Sequence, residues 1–157
     1  MASEAGAMVN ATMRKFGFPE TLVREFRHWV VLVRPAQVTL GSLVLCAKSE
    51  AESFGALDPQ AFAEMAEIVP AIEQVLKRFS QYERINYLML MMVDLNVHFH
   101  IFPHYAGERS FDATVFADSG WPGPPDLKSA IAPDADILHS MQVALKSHFG
   151  DAKFKFR

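Results

Sequence analysis

The sequence predicts an α+β fold, a small antiparallel sheet with helices on one side, and three observations carry that expectation. The run from about Pro59 to Ser80 has the spacing of an amphipathic helix. Phe26–Val33 and Leu40–Ala47 are short runs rich in β-branched, aromatic and other apolar residues, close enough in sequence to pair antiparallel. Asp94–Tyr105 alternates polar and apolar residues with the two-residue period of a strand.

Taken in order, Met1–Ala7 carries one acidic residue, Glu4, and no basic region, which reads as a loose tail and not as a secretory signal. Val9–Phe16 can form a short helix before Gly17-Phe18-Pro19 breaks it. Phe26–Val33 reads as a strand, Arg34–Thr39 as an interruption, and Leu40–Ala47 as a second strand. Asp58 is a good N-cap and Pro59 suits a first helical turn. Phe62, Met65, Val69, Ile72, Leu76 and Phe79 step by three and four and give one apolar stripe. Pro70 inside that run is expected to kink or split the helix. Asn86–Val93 is too apolar to alternate and reads as a strand covered on both faces, joined to the histidine strand (about Val97–Phe102) by the short Asp94-Leu95-Asn96 connection. Gly107–Leu127 reads as irregular, and its Gly120–Pro125 segment excludes a regular helix or central strand. A last helix, roughly Asp134–Phe149, presents Leu138, Met141, Leu145 and Phe149 on one face, with Gly150 as its stop signal.

The 157 residues suit a single domain with a real core, half of them apolar. A net charge of −3 gives no electrostatic case for duplex nucleic acid. No apolar run approaches the roughly 20 residues that span a bilayer. Cys46 is the only cysteine, which excludes an intramolecular disulfide and a cysteine-built zinc site and fits a reducing cytoplasm. It lies in an apolar strand-like run and reads as a core residue.

Three of the six histidines fall between His98 and His104. On a strand, Asn96, His98 and His100 project from one face, and Val97, Phe99 and Ile101 from the other. The residues admit three readings. The histidines can be structural, each satisfied by its neighbours. They can hold a metal, His98 and His100 joined by His104 after the Pro103 bend, with Asp94, Glu108 or Asp112 close in sequence. Or a neutral imidazole can attack phosphorus, its other nitrogen held by an acceptor, while a second imidazole binds phosphate oxygens.

Asn-Val-His-Phe-His-Ile-Phe-Pro-His, residues 96–104, resembles the signature of the histidine triad superfamily, His-φ-His-φ-His-φ-φ with φ apolar, often followed by Pro-Arg. The upstream Leu40-Gly41-Ser42-Leu43-Val44-Leu45 is similar to that family's Gly-His-x-Leu-Val strand, and the helix opened by Leu57-Asp58-Pro59 matches its layout. The resemblance covers about Phe26–Tyr105. It implies a histidine-triad-like antiparallel sheet of about five strands with two main helices, and a homodimer sharing a central sheet. It implies a hydrolase or nucleotidyl transferase acting on the α-phosphate of a purine nucleotide derivative, a nucleoside phosphoramidate or dinucleoside polyphosphate, with no cofactor required. Residue by residue, His98 matches the nucleophile, His100 the third histidine that contacts phosphate, and Asn96 stands at the first position. The Arg34–Thr39 turn lies where the family meets ribose and base, which makes Arg34, Gln37 and Thr39 candidates. Ser42 stands where many members have histidine, and His104 where arginine is frequent. Trp121 can cover a nucleotide pocket or anchor its own loop. Asn96 cannot titrate near neutral pH. The sequence therefore leaves open a nucleotide-binding protein that has lost its chemistry, beside the metal-binding alternative. His28, His139 and His148 receive no role, and Met89–Met92 reads as core.

Overall fold

A computed structural model describes residues 9–152 of the chain. Five strands form one antiparallel sheet: β1 (Leu22–Glu25), β2 (Trp29–Val33), β3 (Leu43–Ala47), β4 (Arg84–Leu88) and β5 (His98–His104), in the spatial order β1-β2-β3-β5-β4. A short helix α1 (Ala11–Lys15) precedes β1. The long helix α2 (Pro59–Ser80) joins β3 to β4. A second, two-stranded sheet, β6 (Glu108–Phe111) and β7 (Thr114–Ala117), follows β5, and α3 (Ala135–Asp151) ends the described chain. The tail expected at Met1–Ala7 lies outside the described residues.

The sheet has two unequal faces. Trp29, Val31, Val33, Leu43, Leu45 and Ile101 point toward Ile68, Ile72, Val75 and Leu76 of α2 and Met141, Leu145 and Phe149 of α3, which together make the main core. Trp29 also donates its indole N–H to the Ala61 carbonyl at 2.8 Å. Val30, Leu32, Val44 and Cys46 point the other way, where Met13 and Phe16 cover them. Helices therefore lie on both faces, because the short α1 caps part of the face expected to be open. Burial pushes the Cys46 thiol pKa up, which suits the core role assigned to it.

Several elements differ from expectation. Phe26–Val33 is not one strand: the chain turns at residues 26–28, and β1 before the turn pairs with β2. Residues Leu40–Ser42 belong to the turn before β3. Helix α2 continues through Pro70 unsplit. A proline costs about 3 kcal/mol in a helix interior, and the buried Ile68, Ala71, Ile72, Val75 and Leu76 around it supply more than that. Its core face runs through Ala61, Ile68, Ile72 and Leu76, so the stripe is rotated: Phe62 is exposed, and Met65, Val69 and Phe79 are partly buried. β4 ends at Leu88 and is an edge strand. Its Arg84 and Asn86 are exposed and Ile85 and Tyr87 pack on the core. Met89–Asn96 forms a connection longer than three residues, with Met92 and Val93 83% exposed. Helix α3 runs one residue past Gly150. The Gly107–Leu127 segment contains a hairpin whose turn, Asp112-Ala113, has positive φ at both residues. That is the backbone of a two-residue primed turn, reached without the glycine that normally announces it.

The Arg34–Ser42 turn is a buried knot. Gln37 Nε2 donates to the carbonyls of Arg34 (2.6 Å) and Ser42 (2.9 Å), and its Oε1 accepts from Gly41 and Ser42 N–H. Ser42 Oγ accepts from Val38 and Thr39 N–H and donates to the Thr39 carbonyl. Thr39 Oγ1 donates to the Pro103 carbonyl, which ties the knot to β5. Gly41 has φ +97°, and a Cβ there would sit 3.1 Å from Leu76 and 3.3 Å from Pro103. Backbone strain and crowding both select glycine. Gly41→Ala is expected to lower unfolding stability by about 1–2 kcal/mol, read by urea denaturation. An unchanged midpoint would contradict this account of the turn.

Candidate functional site

Strand β5 is the middle of the site. It pairs with β3 on one side (Val44 opposite His100, Cys46 opposite His98) and with β4 on the other (Leu88 opposite His100, Asn86 opposite Phe102, Arg84 opposite His104). Pinned on both edges, it cannot slip register, so His98, His100, Phe102 and His104 all stand on the face away from α2 and α3.

His98 is fully buried. Its Nδ1 lies 2.7 Å from the Asn96 carbonyl oxygen. A carbonyl only accepts, so Nδ1 carries the proton and Nε2 carries the lone pair. That Nε2 is buried with no hydrogen-bond partner among the described residues. His100 stands edge-on to it, ring centroids 5.1 Å apart. Arg34 Nε donates to His100 Nδ1 at 3.3 Å, which puts the His100 proton on Nε2. Burial first, then the Arg34 charge, then His98, pull the His100 pKa down to about 4, so the ring is neutral at pH 7. The two imidazoles are thus held in opposite tautomers: one presents a lone pair, the other an N–H.

A groove of about 400 Å³ opens beside His100, lined also by Lys15, Phe16, Arg34, Leu90 and Asp94. Two cations face it. Asp94 lines the groove and pairs with Lys15 at 3.1 Å. Arg34 also donates to the Ala36 carbonyl and lies 5.6 Å from the Phe102 ring centroid. Phe16 packs against both histidine rings, at 5.8 Å from His98 and 5.4 Å from His100.

The Asn96 side chain is occupied elsewhere. Its Oδ1 accepts from Thr12 N–H and Oγ1–H, its Nδ2 donates to the Glu50 carbonyl, and its backbone N–H donates to Thr12 Oγ1. Asn10 caps α1 and donates to the carbonyls of Ala47 and Ser49, both at 2.8 Å. These bonds seat α1, and with it Phe16, over the histidines. Sequence reasoning missed Thr12 and Phe16 as site neighbours, because contacts across 84 residues leave no local spacing to read.

The structure gathers only some of the expected site residues. His98, His100, Arg34 and Asn96 stand together. Gln37, Thr39 and Ser42 are corrected: they are sealed inside the turn, 0–1% exposed, their polar atoms bonded within the protein. His104 and Trp121 line a different pocket, further along β5. The metal set His98, His100 and His104 is not assembled. His104 Nδ1 is on Asp118 at 2.7 Å, and among the described residues no three His, Cys, Asp or Glu side chains are placed to share an ion. No helix among them is long and apolar enough to cross a membrane.

The low His100 pKa makes a testable statement. The unfolded ring titrates near 6.5 and the folded one near 4. The contribution is therefore complete above pH 6.5 and is lost as pH falls through 4. The urea midpoint should drop between those values, with a shallower slope in His100→Asn. Equal slopes in both proteins would contradict the assignment.

No family model and no curated protein matches the chain. Solved structures do. A histidine triad protein from Sinorhizobium meliloti aligns at 15% identity with a TM-score of 0.69, over 89% of this chain and 95% of that one. One from Marinobacter aquaeolei aligns at 17% identity with a TM-score of 0.66, over 84% and 90%. A hypothetical histidine triad nucleotide-binding protein from Sulfolobus tokodaii aligns at 17% identity with a TM-score of 0.64, over 83% and 84%. The five-stranded antiparallel sheet with its two long helices is therefore the histidine triad fold.

Proposed function

We propose that this protein binds a purine nucleotide derivative in the groove beside His100 and transfers its nucleotidyl group through His98. The observation that carries the reading is the His98 ring, its Nδ1–H donated to the Asn96 carbonyl and its Nε2 buried and unpartnered. In the proposed reaction Nε2 attacks the α-phosphorus, an N–P bond forms, and the bond to the leaving group breaks with its electron pair. Water then attacks the same phosphorus, the N–P bond breaks, and the mononucleotide leaves. The His100 Nε2–H, Arg34 and Lys15 supply donors and positive charge for the phosphate oxygens. The reaction needs no cofactor.

The leaving group is narrowed by Asn96. An amide delivers no titrating proton, and this one is spent on Thr12 and Glu50. Leaving groups that depart as stable anions, as from a dinucleoside polyphosphate, therefore suit the site better than the amine of a phosphoramidate. A second reading, a nucleotide-binding protein without turnover, is favoured by one observation: Phe16 packs over a nucleophile that is fully buried. A homodimer sharing a continuous sheet belongs to the same proposal, with the unpaired edge of β4 as the joint. A single-chain mass in sedimentation equilibrium at micromolar concentration would remove it.

The test is turnover of diadenosine polyphosphates and adenosine phosphoramidate, read by chromatography, in wild type and His98→Ala. Wild type is expected to release mononucleotide, faster from the polyphosphate, and His98→Ala to lose about four orders of magnitude with its fold intact. Undiminished release by His98→Ala would refute the reading. Binding by calorimetry with no release by wild type would establish the second reading instead.

A further inference from the structure

His104 is the second histidine of β5 whose ring is oriented by a neighbour and left with an unspent nitrogen. It is 3% exposed. Its Nδ1–H donates to Asp118 Oδ2 at 2.7 Å, and its Nε2 has no partner among the described residues. Asp118 is itself fixed, accepting from Tyr105 N–H at Oδ2 and Gly120 N–H at Oδ1, both at 3.2 Å. Burying an unpaired ring nitrogen is costly, and such an atom in a well-formed site asks for a ligand.

The surroundings say which ligand. His104 lines a pocket of about 390 Å³, within the range of small-molecule sites. The sheet supplies one wall with Arg84, the cross-strand partner of His104, and Asn86. The loop Trp121–Pro125 supplies the other. Among the described residues, no acidic one lines it. The Arg84 guanidinium sits over one face of the Trp121 ring, 5.2 Å from its centroid, which places a cation directly against the aromatic wall. The loop is held in place. Gly123 N–H donates to the Gly120 carbonyl, and the Ser119 and Ser129 hydroxyls both donate to Asp126. A Cβ on Gly120 would meet the Pro124 carbonyl oxygen at 2.3 Å, so only glycine permits this close turn.

We propose that the pocket between β4 and the Trp121–Pro125 loop is a second binding site, separate from the His98 groove, for a small aromatic phosphate. Arg84 takes the phosphate, Trp121 and the prolines take the ring, and His104 Nε2 takes a polar atom of the ligand. The proposal stands whether or not His98 performs chemistry.

Trp121 provides the readout. The other tryptophan, Trp29, is fully buried in the core. The probe is phenyl phosphate, with phenol and inorganic phosphate as separate arms, titrated against intrinsic fluorescence of the full chain. Wild type and His98→Ala are expected to show the same saturable change, at least tenfold tighter than with either fragment. Trp121→Phe should lose the signal. Arg84→Gln, a change at an exposed position, should weaken binding at least tenfold. His104→Asn should do likewise, because its amide can keep the bond to Asp118 while Nε2 is deleted. No saturable change in wild type, wild-type affinity in either Arg84→Gln or His104→Asn, or loss of binding in His98→Ala would each overturn the proposal.

Discussion

Strand β5 is hydrogen-bonded on both edges, and the rest of the molecule depends on that pinning. Its two-residue period sends Ile101 into the core with α2 and α3, and sends His98, His100, Phe102 and His104 to the opposite face. A slip of one residue would exchange these sets and bury imidazoles against leucines. The apolar side is what makes that slip prohibitive. The Arg34–Ser42 knot adds a second hold, through Thr39 on the Pro103 carbonyl. Rigid presentation of the histidines is thus a consequence of core packing rather than of bonds among the histidines themselves.

Each ring on that face is oriented by a different kind of partner. A backbone carbonyl holds His98, a guanidinium holds His100, and a carboxylate holds His104. The partners fix the tautomers and so decide what each ring offers: a lone pair at His98 Nε2 and an N–H at His100 Nε2. The low pKa of His100 follows from burial beside Arg34. A neutral ring there leaves Arg34 and Lys15 as the positive charges of the groove. Asp94, the one acidic lining residue among the described residues, is offset by Lys15. Phe16, just past the end of α1, packs on His98, and the seat of α1 rests on Asn10, Thr12 and Asn96.

The alternating stretch around His98 and His100, the capped helix opening at Asp58, and the β2–β3 pair were all legible in the sequence. In each, the local pattern and the tertiary environment agree. What was not legible has physical reasons. The β6–β7 hairpin turns at Asp112-Ala113, and alanine at positive φ carries no turn signal. β4 was placed too late because Met89–Val93 is apolar, yet those residues leave the sheet and Met92 and Val93 face solvent. Gln37, Thr39 and Ser42 look like ligand-facing polar residues in a turn, but the turn's own backbone consumes them. Asp118 could not be paired with His104 from sequence, because the β6–β7 hairpin, itself unsignalled, brings it back from 14 residues away.

The central claim is that His98 Nε2 becomes bonded to phosphorus during turnover. The direct measurement is intact-mass spectrometry of protein mixed with a diadenosine polyphosphate and quenched in base, since an N–P bond to histidine is labile in acid. Peptide mapping then locates the adduct. The account predicts a transient gain of one adenylyl group, mapped to His98 and absent from His98→Ala. Turnover with no adduct at any time point, or an adduct mapped to another residue, would contradict it.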